Sequence, residues 1–168
     1  MGIPPEADAI KMQNPSLKQY FIEIIYYVSM KLSHVGVAVK NLDESSALFS
    51  KLFNVKHIPV EVVADQRVRV GFCHVGDASI ELTEATSPDS PIAKFIEKRG
   101  EGVHHVSFEV DDIVAELKRL KEEGFQLIDE KPRMGAGGCL IAFLHPKSTN
   151  GILIEISERV EATKGAVS

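Results

Sequence analysis

The chain is built twice from one pattern. Ser33-His34-Val35-Gly36-Val37-Ala38-Val39-Lys40-Asn41-Leu42 lies over residues 104–113 at a constant offset of 71, which sets His34 on His105 and Leu42 on Ile113. The same offset carries Phe72-Cys73-His74-Val75 onto Phe143-Leu144-His145-Pro146. Ser79-Ile80-Glu81-Leu82 matches Leu153-Ile154-Glu155-Ile156 at an offset of 74, and the three extra residues fit a longer turn around Lys147-Ser148-Thr149-Asn150. A duplicated chain folds as two like halves. Here each half opens on a strand bearing His and closes on a strand bearing Glu.

Local patterns fill in the unit. In the second copy Val106, Phe108 and Val110 alternate with His105, Ser107 and Glu109, the period of a half-buried strand. Asn41 or Asp43 in the first copy, and Asp111 or Asp112 in the second, are placed to cap helices over residues 42–53 and from 113 to about 124. Strands are expected at 57–63, 68–73 and 80–82, with a polar turn at 64–67 and a hairpin turn at Gly76-Asp77. Their counterparts are 125–128, 140–144 and 152–156, with a charged connector at 129–133 and a glycine-rich bend at 134–138. Ser90, Pro91 and Gly100 bracket a short linker helix between the copies.

The expected fold is therefore α+β: two tandem β-α-β-β-β units forming a curved mixed sheet around a cleft, with helices on the outside. Residues 1–29 stand outside the duplication as an extension. Residues 30–158 form one domain, with unit one over 31–86, the linker helix over 90–100 and unit two over 102–158. Residues 159–168 read as a polar tail.

With 168 residues the chain can bury a sizeable core. A formal charge of −5 and no basic cluster give no general attraction to nucleic acid. No run approaches a membrane span, and Glu23 interrupts the apolar stretch 20–30, so no membrane association and no secretory signal are expected. Cys73 and Cys139 do not correspond under the repeat and lack metal-ligand spacing, which suits two reduced thiols in a cytoplasmic protein.

If alternation holds, Val35, Val37 and Val39 pack on a helix and His34, Gly36 and Ala38 face the other way. Glu81 then stands beside His34, and Glu155 beside His105, so that all four side chains meet in one cleft. Two imidazoles with two carboxylates suit a divalent ion such as Co2+, Ni2+, Mn2+, Zn2+ or Fe2+. A lone strand His or Glu is ordinarily a packed or solvated residue; the recurrence of the pair in both copies favours the ligand reading. Gly36 and Ala38 leave space above the ion. His74 and His145 follow Phe72 and Phe143 by two and are expected on the helix-packed face in a structural role. His104 is expected on the wrong face of its strand, His57 has no mate, and Glu109 is expected at the cleft rim.

These units, with His and Glu so placed, resemble the vicinal oxygen chelate superfamily, and residues 31–158 look like its methylmalonyl-CoA epimerases. The stretch SPDSPIAKFIEKRGEG over residues 87–102 and Ala142-Phe143-Leu144-His145-Pro146-Lys147-Ser148 carry the more specific match. The resemblance implies metal ligands at His34, Glu81, His105 and Glu155, with Gln in many members at the position of Glu81. It implies a divalent metal that binds an acyl-CoA substrate and stabilises the enolate formed by loss of its C2 proton. Glu155 would be one acid/base group. In some members the opposite one is a Glu on the third strand of unit one, but residues 68–73 hold no acid here, so Glu81 or another group would act. Lys147, Ser148, Gly137 and Gly138 would touch substrate, and a homodimer is expected. The rival readings are a glyoxalase I-like lactoylglutathione lyase, a dioxygenase of the same superfamily, and a non-catalytic small-molecule binder of this fold.

Overall fold

The structure, a computed structural model, describes residues 30–160. The expected extension 1–29 and most of the expected tail, 161–168, lie outside the described residues. Strand β1 (Lys31–Val39) is followed by helix α1 (Leu42–Phe53), β2 (Val60–Val63), β3 (Val68–Val75) and β4 (Ala78–Ala85). Helix α2 (Pro91–Arg99) leads to β5 (Gly102–Glu109), α3 (Ile113–Glu122), β6 (Arg133–Met134), β7 (Cys139–Leu144) and β8 (Ile154–Arg159).

The eight strands make one sheet in the order β2-β3-β4-β1-β5-β8-β7-β6. That order is a palindrome of the repeat, since β1, β2, β3 and β4 have their mates in β5, β6, β7 and β8. Its centre is the antiparallel pair β1–β5, while β1–β4 and β5–β8 pair in parallel. Parallel neighbours need a crossover, which is why a helix and two strands intervene between the His strand and the Glu strand of each unit.

Helix ends follow the capping residues. The Asn41 side chain accepts from the backbone N–H groups of Asp43 and Glu44, and α1 ends on Asn54 in the left-handed region. Asp112 caps α3, and Ser90 with Pro91 starts α2. Val39, Leu42, Ile58, Cys73 and Leu82 form a core between α1 and unit one, with Val37, Phe49, Phe53 and Ile80 packed on it. On the opposite face Ala38, Val68, Val70 and Ile92 form a second cluster, to which Phe95 and Ala136 add. The linker helix thus lies on the inner face of the sheet, while α1 backs the outer one.

Two strand expectations fail. Residues 57–59 are not in β2, which begins at Val60, because Pro59 has no N–H to donate to a ladder. Residues 125–128 make only an isolated bridge, Leu127 to Leu144, and the mate of β2 is the two-residue β6, in the stretch expected as connector and bend. A strand of two residues carries no alternation, so no periodicity announces it. At the end of the chain, β8 runs on through Ser157, Glu158 and Arg159.

Candidate metal centre

His34 lies on β1, His105 on β5, Glu81 on β4 and Glu155 on β8, the four central strands. Register puts them on one face. His105 is opposite Gly36 across the β1–β5 pair, Glu81 is beside Gly36 across the β1–β4 pair, and Glu155 is beside Ser107. Gly36 is required here: a Cβ at that position would lie 2.1 Å from Cε1 of His105. The space left by this small residue is therefore taken up by the His105 ring.

The side chains converge at the floor of a cleft of about 1000 Å³. His34, His105 and Glu155 are buried and offer ligand atoms that all lie within 4.8 Å of one another. Their Nε2 atoms are 3.0 Å apart, and Glu155 Oε1 is 3.5 Å from His34 Nε2. Glu81 stands outside that mutual set, with Oε2 3.8 Å from His34 Nε2 and 3.6 Å from His105 Nε2. The Thr83 hydroxyl donates to the same Oε2 at 3.1 Å.

Burial sets the protonation of this group. Desolvation holds His34 down to about 4 and His105 well below the usual imidazole range. It pushes the Glu81 carboxyl up to about 7, against the Thr83 hydrogen bond, and the Glu155 carboxyl up to about 8 with help from the Glu81 charge.

The arrangement fits a divalent cation. Glu155 Oε1 is buried with no hydrogen-bond partner, a costly state for a carboxylate oxygen unless something positive stands beside it. The Nε2 atoms of the two imidazoles meet at hydrogen-bond distance, so a cation could take both as ligands in place of that contact. His34 Nδ1 is 3.2 Å from Ser33 Oγ, and His105 Nδ1 is 3.0 Å from His104 Nδ1. Two imidazole nitrogens and carboxylate oxygen are borderline donors suited to Co2+, Mn2+, Ni2+ or Zn2+.

Several sequence expectations are corrected around this floor. Phe72 and Phe143 line the cleft instead of the helix face, edge-on to His34 at 5.7 Å and to His105 at 5.6 Å between ring centres. They are the cross-strand partners of Glu81 and Glu155, and cross-strand partners share a face. His74 accordingly opens on the cleft as well, with Nδ1 2.8 Å from Ser79 Oγ. His145 keeps a structural role, its Nδ1 accepting from the Lys147 N–H beyond the end of β7. His104 is beside His105 instead of behind it, because the β1–β5 register slips between Gly36 and Val37 and leaves His104 as an extra residue in β5.

The expected substrate residues divide. Gly137 and Gly138 line the cleft, both with positive φ. Lys147 is exposed, and Ser148 accepts from the Gln126 N–H and donates to the His145 carbonyl; neither lines the cleft. Sequence reading missed Glu61 and Arg133. Glu61 is opposite Val70 on the inner face of β2 and accepts from the Gly137 N–H at 3.0 Å, joining the two ends of the sheet. Arg133 sits 5.7 Å from the centre of the Phe143 ring and lines the cleft. Both needed the closure of the sheet to be seen.

A duplicated half-barrel with an inward His, Glu, His, Glu floor defines a class: the chain belongs to the Glyoxalase/Bleomycin resistance protein/Dioxygenase superfamily, whose family model matches residues 33–143. Within that class its relatives include methylmalonyl-CoA epimerases. The mitochondrial methylmalonyl-CoA epimerase of Dictyostelium discoideum is 40% identical over 131 residues, 77% of this chain and 78% of the relative. The ethylmalonyl-CoA/methylmalonyl-CoA epimerase of Cereibacter sphaeroides is 36% identical over 130 residues, 76% of this chain and 97% of that protein. A solved methylmalonyl-CoA epimerase in complex with methylmalonyl-CoA and NH4+ superposes with a TM-score of 0.73 at 30% identity, covering 79% of this chain and 96% of the other. Among the described residues, no helix is long and apolar enough to cross a membrane.

Proposed function

We propose that the protein interconverts the (R) and (S) epimers of methylmalonyl-CoA, with a divalent cation held by His34, His105, Glu155 and Glu81. The observation that carries this is the buried His34–His105–Glu155 trio with its unpartnered carboxylate oxygen, at the floor of a cleft in a chain related to the epimerases. A cation in that position supplies Lewis-acid charge, which makes the hydrogen between a carboxylate and a thioester carbonyl acidic enough to remove.

The chain's own residues do the rest. Glu155 is the base for the C2 proton, its carboxyl standing at the cleft floor beside His34 and His105. Glu81 is the second acid/base group, and it faces the same floor from the other unit. Epimerisation requires delivery to the face opposite the one that lost the proton, and two carboxyls from two halves of the sheet supply two directions of approach. Phe72 and Phe143 wall the floor and exclude water, which strengthens charge interactions inside it. Gly137 and Gly138 allow the acyl group to approach backbone there. A homodimer belongs to the same proposal, since edge strand β2 leaves Val60 and Val62 exposed. Light scattering at micromolar concentration that gave only monomer would remove that part.

The test is proton NMR of methylmalonyl-CoA in D2O with the purified protein, with and without chelator. Loss of the C2 proton signal that depends on protein and stops on chelation is expected. Exchange unchanged by chelator would remove the metal, and no exchange at all would remove the epimerase reading.

A further inference from the structure

The repeat relates more than the ligands. Ser33 precedes His34, and its mate at the same offset, His104, precedes His105. Both neighbours reach the Nδ1 of the histidine that follows, Ser33 through Oγ at 3.2 Å and His104 through Nδ1 at 3.0 Å. In a regular strand, consecutive side chains point to opposite faces and such contacts are awkward. For His104 the β5 bulge removes the obstacle by turning two successive residues to one side. Its ring is fixed there by Phe95 of α2, edge-on with centres 4.9 Å apart.

We infer that His104 is a positioning residue for His105: it accepts the His105 Nδ1–H and so reserves the His105 Nε2 lone pair for a cation, the part Ser33 plays for His34. An imidazole has one N–H to place, and whichever nitrogen donates leaves the other as the free acceptor. A donated Nδ1–H also fixes the plane of the ring and raises the basicity of Nε2. In unit two the acceptor is itself an imidazole, which carries its own proton on Nε2 and needs no water to complete the bond. The inference rests on reading His34, His105 and Glu155 as a metal centre.

The experiment measures Zn2+ affinity by competition with a chromophoric chelator, without reference to turnover. His104→Phe keeps a ring against Phe95 but has no acceptor, and a loss of about 10–100-fold is expected. His104→Asn places Oδ1 where Nδ1 stood and should recover most of that loss. Ser33→Ala, the corresponding change in the other copy, should weaken Zn2+ in the same direction. Nitrogen NMR of the Zn2+-loaded wild type should show His104 protonated on Nε2 with Nδ1 bare, a readout that needs no variant to fold. Wild-type affinity in His104→Phe, or His104 protonated on Nδ1, overturns the inference. Absence of Zn2+ binding by the wild type would instead overturn the metal centre beneath it.

Discussion

The two halves contribute matching His and Glu side chains but unequal surroundings. In unit one, Glu81 is held by the Thr83 hydroxyl. The mate of Thr83 in unit two is Ser157, whose hydroxyl is turned away, bonding Ser107 at 3.2 Å and the Phe108 carbonyl at 3.3 Å. Glu155 is left with an unpartnered Oε1, and burial raises both carboxyls, opposed by Thr83 at Glu81 and by Ser107 at Glu155. The same asymmetry appears on the central strands, where Gly36 gives up its side chain to admit the His105 ring and its mate Ser107 keeps a hydroxyl. Duplication made the set of inward His and Glu side chains; divergence next to it gave the two carboxyls different neighbours.

The sharpest way to break this contrast is to neutralise each carboxylate in turn. Glu155→Gln is expected to lose about 10²–10⁴-fold in turnover while retaining some metal, since the amide oxygen can still face a cation. Glu81→Gln, which removes the second acid/base group, should keep metal and lose less turnover than Glu155→Gln. Exchange rates and metal content measured on both variants decide it, and a near-normal Glu155→Gln beside a dead Glu81→Gln would reverse the roles.

A structural form of the same contrast follows from the central strands. Gly36→Ala should displace the His105 ring, destabilise the fold by about 1–3 kcal/mol and weaken metal binding. Ser107→Ala removes one buried hydroxyl pair and should cost about 1 kcal/mol, with a smaller loss of metal affinity than Gly36→Ala. Denaturant titrations paired with metal titrations would separate them. Equal losses of metal affinity in the two variants would show that the centre does not depend on the Gly36 approach.

Stability against pH should expose the raised carboxyls in chelator-treated protein. Burial lowers His34 and His104 from 6.5 to about 4 and holds His105 well below 6.5, so the folded state binds fewer protons than the unfolded one and stability rises with pH up to about 6.5. Glu81 and Glu155 are raised from 4.5, so the folded state keeps protons that the unfolded state has released, and stability falls as pH rises toward 7 and 8. Below 6.5 the two effects oppose. Above it only the carboxyls act, and the melting temperature should decline between about pH 6.5 and 8. A divalent ion that needs both carboxylates ionised should abolish the decline, so melting curves with and without metal ought to diverge over that interval.

The smallest effect is expected at Lys147, whose side chain is exposed and lies outside the cleft walls. Lys147→Ala should leave stability within about 0.5 kcal/mol and KM within about twofold. A several-fold rise in KM would bring the loop after β7 over the substrate and weaken the view that the glycine segment alone borders it.

The duplication, the helices with their caps and the four inward His and Glu side chains were legible in residue order. Each rests on a signal local to one segment: a period of two, an Asn or Asp before a helix, the same residue at a fixed offset. Tertiary structure alone decided which strands pair and in what register. Cross-strand pairing with Glu81 and Glu155 turned Phe72 and Phe143 into the cleft, and the slip between Gly36 and Val37 brought His104 beside His105. Closing the sheet on itself joined Glu61 to Gly137 across 76 positions of sequence. Such contacts depend on hydrogen bonds between distant segments, and a one-residue slip reverses every side chain that follows, so no local pattern in either strand can announce them.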